Sequence, residues 1–134
     1  MHSPSELVSA HPEQFLSVIA RPPDSGQVVL DVVGHVDAFT APLLRACLRT
    51  QLSRPGLREL IVDAGGVDFL GAAGVSAIVE ATRGCRERGL RFRLRTHGRR
   101  QVLRPLAVAG VLDDLEVEPD VAALPALAGS VAHA

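Results

Sequence analysis

The chain contains no lysine, tyrosine or tryptophan, and only two cysteines and four phenylalanines stand among its 134 residues. No apolar run approaches the length of a membrane span. Residues 1–6 lack the charged and apolar regions of a signal peptide. We therefore expect a cytoplasmic protein of about one domain with no membrane span.

The two cysteines, Cys47 and Cys85, lie in separate predicted helices and form no metal-binding or redox motif. Two thiols in a cytosolic chain are most often reduced core residues. The sequence also contains no phosphate-binding glycine motif of the Walker or dinucleotide type. We therefore predict no metal site and no cofactor.

Charge is distributed unevenly, although the formal net charge is only −1. All 14 basic residues are arginines, and those between Arg83 and Arg104 are accompanied by a single acid, Glu87. Five acids and no arginine follow Arg104. A basic cluster attracts nucleic acid or an acidic partner, but Phe92 is the only aromatic residue within it. We predict a solvated basic face beside a partner site, without direct nucleic-acid binding.

Hydrophobic periodicity predicts one α/β domain over residues 14–127, after a loose lead-in (1–13) and before a frayed tail (128–134). The expected order is β-β-α-β-α-β-α-(β)-α, which gives a small mixed sheet of four to five strands layered with about four helices. The predicted strands cover residues 15–20, 27–33, 57–64, 90–95 and, at one edge, 111–117. The predicted helices cover residues 41–52, 72–88, 99–109 and 121–127, with Thr40 and Asp120 as N-caps and Pro105 bending the third helix.

Residues 67–78 form the stretch on which the function depends. An apolar strand is followed by Gly65-Gly66, predicted as a loop, and then by a helix whose start is nearly bare of side chains. Exposed backbone N–H groups at a helix start suit an anion or the acceptor groups of a partner. Small residues there also allow a helix to pack closely on a sheet, and the sequence leaves both interpretations open.

The polar residues predict no catalytic site. His35 and Asp37 share one loop, where a His–carboxylate pair and ordinary exposed polarity explain them equally well. Asp63 and Asp68 flank the glycine pair, but two carboxylates do not make a cation site, and we expect them to cap turns. The residues therefore predict a protein that is not an enzyme.

Three segments resemble the STAS domains of anti-sigma factor antagonists. Residues 34–37, Gly-His-Val-Asp, resemble the Gly-Glu-Leu-Asp element of that family. Residues 67–75 are similar to its stretch leading to Asp-Ser-Ser-Gly-Leu, and residues 102–106, followed by Gly110 and Val111, are similar to its third helix and exit. The resemblance spans residues 14–127 in the right order and implies the same α/β fold.

The resemblance implies a regulatory binding domain. Antagonists of this family bind an anti-sigma factor that is also a serine kinase, which releases the sigma factor, and phosphorylation of a serine at the start of the second helix breaks the complex. That serine falls on Ala72, and neither Ser76 nor Thr82 matches its position. The resemblance thus implies a non-phosphorylatable antagonist with a partner-binding surface at His35, Asp37, Asp68, Gly71, Ala72, Ala73, Gly74 and Ser76.

Two other functions remain open at this point. STAS domains also serve as subunits or interaction modules of membrane transport complexes. A small-ligand sensor, with its ligand at the bare helix start, is the third alternative.

Overall fold

The sheet is mixed and has five strands in the computed structural model, which describes residues 6–8 and 15–118. The strands lie side by side in chain order, β1 to β5. β1 pairs with β2, and β2 with β3, in antiparallel fashion, whereas β3, β4 and β5 are parallel. The strands are β1 (Glu6–Val8), β2 (Leu16–Ala20), β3 (Gln27–Val36), β4 (Glu59–Leu70) and β5 (Arg91–Arg95).

Three helices accompany the sheet, α1 (Ala41–Leu52), α2 (Ala72–Glu87) and α3 (Arg100–Val108). α1 joins β3 to β4 and α2 joins β4 to β5, so each is the crossover of a parallel pair. Such crossovers are nearly always right-handed, which places successive helices on the same face of the sheet. α1 and α2 accordingly pack against each other over the core. Its largest fully buried side chains include Leu16, Leu30, Leu44, Leu60, Leu94 and Leu106, and Phe92 packs with them.

α3 follows β5 and packs against β4. Val102 and Leu106, four residues apart on one face of the helix, are fully buried and anchor it. Pro105 lies inside the helix, as the sequence predicted, and the helix ends before Gly110, whose φ is +74°.

β4 continues through the glycine pair, so the loop predicted at Gly65-Gly66 is wrong. The pairing with β3 shifts twice, because Asp31 faces Asp63 while Val33 faces Gly66, and Gly34 faces Val67 while His35 faces Phe69. β4 therefore contains two bulges. Glycine suits this path, since a Cβ at position 66 would lie 2.8 Å from the Val33 Cγ2 atom.

The two ends of the sheet also differ from the prediction. Glu6–Val8, within the predicted loose lead-in, forms an edge strand with β2. The edge strand predicted over residues 111–117 is instead a 3₁₀ turn, Leu112–Asp114, followed by a single bridge between Val117 and Leu94. Two acids in that turn favour turn geometry over a ladder. The predicted helix over 121–127 with its cap Asp120, and the tail 128–134, lie outside the described residues.

Both cysteines are buried in the helical layer and neither forms a disulfide, as predicted. Burial raises the pKa of the Cys85 thiol to about 11, although Arg88 opposes the shift. Burial also raises the pKa of Cys47. These are the properties of inert core thiols.

Candidate functional site

α2 begins without any side-chain cap at the segment that we name the β4–α2 junction, residues 68–76. Gly71 occupies the N-cap position in an extended conformation, and its N–H donates to the Val36 carbonyl at 2.8 Å. Its own carbonyl accepts from the N–H groups of Gly74 and Val75, both at 3.0 Å. The backbone of β3 thus fixes where the helix starts, and no side chain among the described residues caps that start by a hydrogen bond.

The small residues at the junction divide into two kinds. Gly74 is buried, and a Cβ there would lie 2.5 Å from Val36 Cγ1 and 2.6 Å from Leu70 Cδ1. Ala72 and Ser76 are exposed, and Ala73 is half-buried. Close packing therefore accounts for Gly74, while Ala72 and Ser76 present a surface that a partner can reach.

Two rings stand beside this helix start. His35 and Phe69 face each other across β3 and β4, with ring centroids 6.0 Å apart and an interplanar angle of 28°. Phe69 is 48% exposed. A Cβ at Gly71 would lie 3.1 Å from the Phe69 ring. The structure thus brings His35, Gly71 and Ala72 together around Phe69, a residue that the sequence analysis did not single out.

Asp37 caps the entry to α1. Its Oδ1 atom accepts from the N–H groups of Phe39 at 2.9 Å and Thr40 at 3.0 Å. The Thr40 hydroxyl donates to the His35 carbonyl at 2.7 Å and makes no cap to its own helix. The side chains of His35 and Asp37, both of which the structure describes, are not hydrogen-bonded to each other. The carboxylate of Asp37 therefore holds the β3–α1 loop, and its role in partner binding stays a prediction.

A groove of about 460 Å³, which we name the α3 groove, lies between the end of β4 and α3. Its floor is mostly apolar, and Val108 at its mouth is 80% exposed. Asp68 lines the β4 side of the groove. The groove is lined by Asp68, Phe69, Leu70, Arg100, Gln101, Arg104, Pro105 and Val108.

Asp63 has neighbours that exclude a cation site with Asp68. Its Oδ1 atom accepts from the Gly65 N–H at 2.9 Å and lies 2.9 Å from His97 Nε2. Arg21 and Arg95 approach its other oxygen at 3.6 Å and 3.7 Å. Within the described part of the chain, no group of three metal-ligating side chains is placed to hold a metal ion.

The basic side of β5 carries matched ion pairs rather than a solvated basic face. Arg91 pairs with Glu116, Arg93 with Glu59 and with Glu118 at 3.1 Å, and Arg95 with Glu118 at 3.1 Å. The prediction of a solvated basic face is therefore wrong for this strand. We name these residues, together with Asp63, the ion-pair ladder.

In two acidic members of the ladder, Glu59 and Glu116, the pKa of the carboxyl group lies below its ordinary value. Burial alone would raise the pKa of Glu59, but hydrogen bonds from Gln27 and Arg93 and the charges of Arg93 and Arg91 lower it on balance. The hydrogen bond from Arg91 lowers the pKa of Glu116. Both carboxylates are thus held in their charged form.

A sequence profile of the STAS domain matches residues 19–124. The chain belongs to the STAS family. No protein of curated function matches this STAS domain in a sequence comparison.

Solved structures confirm the fold of this STAS domain. An anti-sigma factor antagonist from Mycobacterium paratuberculosis is similar with a TM-score of 0.66 and 24% identity, over 88% of this chain and 97% of that one. The phosphorylated form of the Bacillus cell fate determinant SpoIIAA is similar with a TM-score of 0.60 and 14% identity, over 82% and 98%. The murine anion transporter Slc26a9 is similar with a TM-score of 0.61 and 17% identity, over 81% of this chain and 18% of the transporter.

The residues of this STAS domain that sequence reasoning missed have two kinds of signal. Phe69 and Val108 are large apolar side chains left exposed, and Arg100 and Arg104 are spaced one helical turn apart on α3. The turn spacing was visible in the sequence, whereas the exposure of a side chain depends on how the elements pack. No helix in the described residues is long and apolar enough to cross a membrane.

Proposed function

We propose that this STAS domain is a non-catalytic antagonist that binds an anti-sigma factor of the serine-kinase type and thereby releases a sigma factor, without the usual phosphorylation switch. The observation that carries the proposal is the exposed, uncapped start of α2, where the methyl group of Ala72 occupies the first helical position. The similarity to anti-sigma factor antagonists supports the same class of partner.

The missing hydroxyl is the decisive chemical difference. Phosphorylation would add about −1.5 to −2 charges and three acceptor oxygens at this surface. A helix start tolerates that charge through its own dipole, but a partner surface shaped for a small neutral residue does not. Ala72 and Ala73 have no hydroxyl, and Ser76 lies one turn further along the helix. A kinase partner therefore finds no hydroxyl group at the helix start that it could phosphorylate to dissociate the complex.

The surface that we assign to the partner comprises Ala72, Ala73 and Ser76 with His35, Asp68 and Gly71 beside them. Gly74 and Asp37 contribute indirectly, since Gly74 seats α2 on the sheet and Asp37 fixes the neighbouring loop. No side chain in this set is arranged with a nucleophile and a base, which fits binding rather than catalysis.

The test is a binding titration of the purified chain against purified serine-kinase-type anti-sigma factors of the same organism, with and without ATP and Mg²⁺. We expect binding that prior incubation with ATP leaves unchanged, and an intact mass without added phosphate. Ala72→Ser should gain one phosphoryl group and then lose binding. Ala72→Glu should weaken binding by at least about tenfold.

Ala46→Glu is the matched control, because Ala46 is an exposed alanine on α1. It should change the affinity by less than about twofold. If no such anti-sigma factor binds the wild-type chain or either variant at position 72, the proposed function is wrong.

A role as the STAS component of a transport complex is the second candidate, favoured by the fold shared with the STAS-containing transporter Slc26a9. In that case the chain should co-sediment with native membranes that contain the transporter and should be released when the transporter is absent. The anti-sigma titration would then show no binding.

A further inference from the structure

The α3 groove combines two features that folding alone does not explain. The first is apolar exposure, since Phe69 is 48% and Val108 80% exposed at its floor and mouth. Scattered exposed apolar residues are ordinary on soluble proteins, but here they line one groove of about 460 Å³ with Pro105 and Leu70. Such a patch is typical of an interaction site.

The second feature is an excess of positive charge, since two arginines and one acid, Asp68, line the groove. Arg100 and Arg104 lie one turn apart on α3 and both border the groove. In the range 15–118 neither forms an ion pair, whereas Arg91, Arg93 and Arg95 on β5 all do. Arg100 also stands at the first position of the helix, where a positive charge opposes the dipole and does not stabilise the helix.

We propose that the α3 groove binds an acidic, amphipathic segment of a partner protein, which places an apolar side chain against Phe69, Pro105 and Val108 and carboxylates against Arg100 and Arg104. The groove adjoins the β4–α2 junction through Phe69, which lies beside Gly71. The inference rests on the proposed function in one respect, because the segment is assigned to the same anti-sigma partner.

Charge and polarity favour this occupant over two others. Nucleic acid would pair with the arginines but would leave Val108 and Pro105 against a charged backbone. A second copy of this chain is the weaker occupant, because Glu59, Glu116 and Glu118 already pair with β5 and Glu80 pairs with Arg45, which leaves few of its described carboxylates for the groove arginines. A partner segment with both apolar and acidic side chains can bury the apolar residues of the groove and neutralise its arginines at the same time.

The experiment uses two synthetic helical peptides that share leucines at i, i+3, i+4 and i+7. One carries glutamate at its remaining positions and the other carries lysine. Each is titrated into the ¹⁵N-labelled full chain. We expect the glutamate peptide to shift the amide signals of Phe69, Arg100, Arg104 and Val108 saturably and in a salt-dependent manner, and the lysine peptide to leave them unchanged.

The double variant Arg100→Gln/Arg104→Gln should weaken binding of the glutamate peptide and of the anti-sigma factor by about tenfold. Arg83→Gln/Arg86→Gln is the matched control, since these exposed arginines lie on α2 away from the groove, and it should change affinity by less than about twofold.

Each other outcome has a defined meaning. If the anti-sigma factor binds but the groove double variant binds it equally well, the groove inference is overturned and the proposed function stands. If the glutamate peptide binds the groove and no anti-sigma factor binds the chain, the groove stands with another partner and the proposed function fails. Shifts produced equally by both peptides, or by single-stranded oligonucleotide alone, overturn the acidic-segment assignment.

Discussion

The two arginine-bearing surfaces of this domain differ in whether acidic side chains neutralise them. On β5 the arginines alternate with buried residues, and acids from β4 and from the segment after α3 neutralise them. On α3, Arg100 and Arg104 stand at the edge of an apolar groove with no acid paired to them among residues 15–118. Both surfaces carry arginines, but only the arginines on α3 keep a charge that a partner's acids can neutralise. Ion pairing, rather than the number of arginines, therefore separates a structural basic surface from an interaction surface.

Glu59 should be the most sensitive point of the first surface. Its carboxylate is 15% exposed, accepts a hydrogen bond from Gln27 at 2.9 Å and pairs with Arg93. Glu59→Ala removes one of the two acids paired with the partly buried Arg93 and leaves the Gln27 amide without its acceptor, so we expect a loss of about 1–2 kcal/mol in the free energy of unfolding, measured with urea.

Glu80→Ala is the control for that measurement. Glu80 pairs with Arg45 but is 53% exposed, so its loss should cost less than about 0.5 kcal/mol. Equal effects of the two variants would show that burial does not increase the contribution of the Glu59 ion pair to stability.

Acid should weaken the ladder before it affects the groove. The folded-state pKa values of Glu59 and Glu116 lie below their ordinary value of 4.5. Their stabilising contribution is therefore present in full above about pH 4.5 and is lost as the pH falls from there through the lower folded-state values. Thermal unfolding followed from pH 7 to pH 3 should show a smaller loss of stability for Glu59→Gln than for the wild type. A steeper loss in the variant would contradict this assignment.

Val108 should show the smallest effect on stability. Its side chain is 80% exposed, so Val108→Asp should change the free energy of unfolding by less than about 0.5 kcal/mol. The added charge faces the groove, and binding of the glutamate peptide should weaken through repulsion and loss of apolar contact. Titration calorimetry with the folded variant separates these two effects, and unchanged affinity would remove Val108 from the groove's binding surface.

Much of the fold could be predicted because its signals are local. The helices at Ala41–Leu52, Ala72–Glu87 and Arg100–Val108 follow apolar spacing, and Phe92 and Leu94 alternate with arginines as the strand requires. The path of β4 through Gly65-Gly66 could not be predicted in the same way. Glycine pairs favour turns locally, but pairing with β3 outweighs that preference, and the bulges that result depend on contacts between residues more than 30 positions apart.

Prediction of the site was less complete for a related reason. Ala72 and Ser76 are exposed at the start of α2, as a partner surface requires, and their role stays a prediction. The groove depends on how α3 rests against the end of β4, which no local pattern specifies. The prediction of a solvated basic face was wrong on β5 because the acids that neutralise it are distant in the chain, Glu116 and Glu118 after the strand and Glu59 before it.

The ladder also has a consequence for synthesis of the chain. Glu118 follows Arg95 by 23 residues and Glu116 follows Arg91 by 25, so the three arginines of β5 leave the ribosome well before two of their acids. Until residue 118 has been made, only Glu59 and Asp63 face those arginines. A chain that stops early would present a cationic strand that only Glu59 and Asp63 compensate, whereas a chain extended through Glu118 neutralises that strand as it folds.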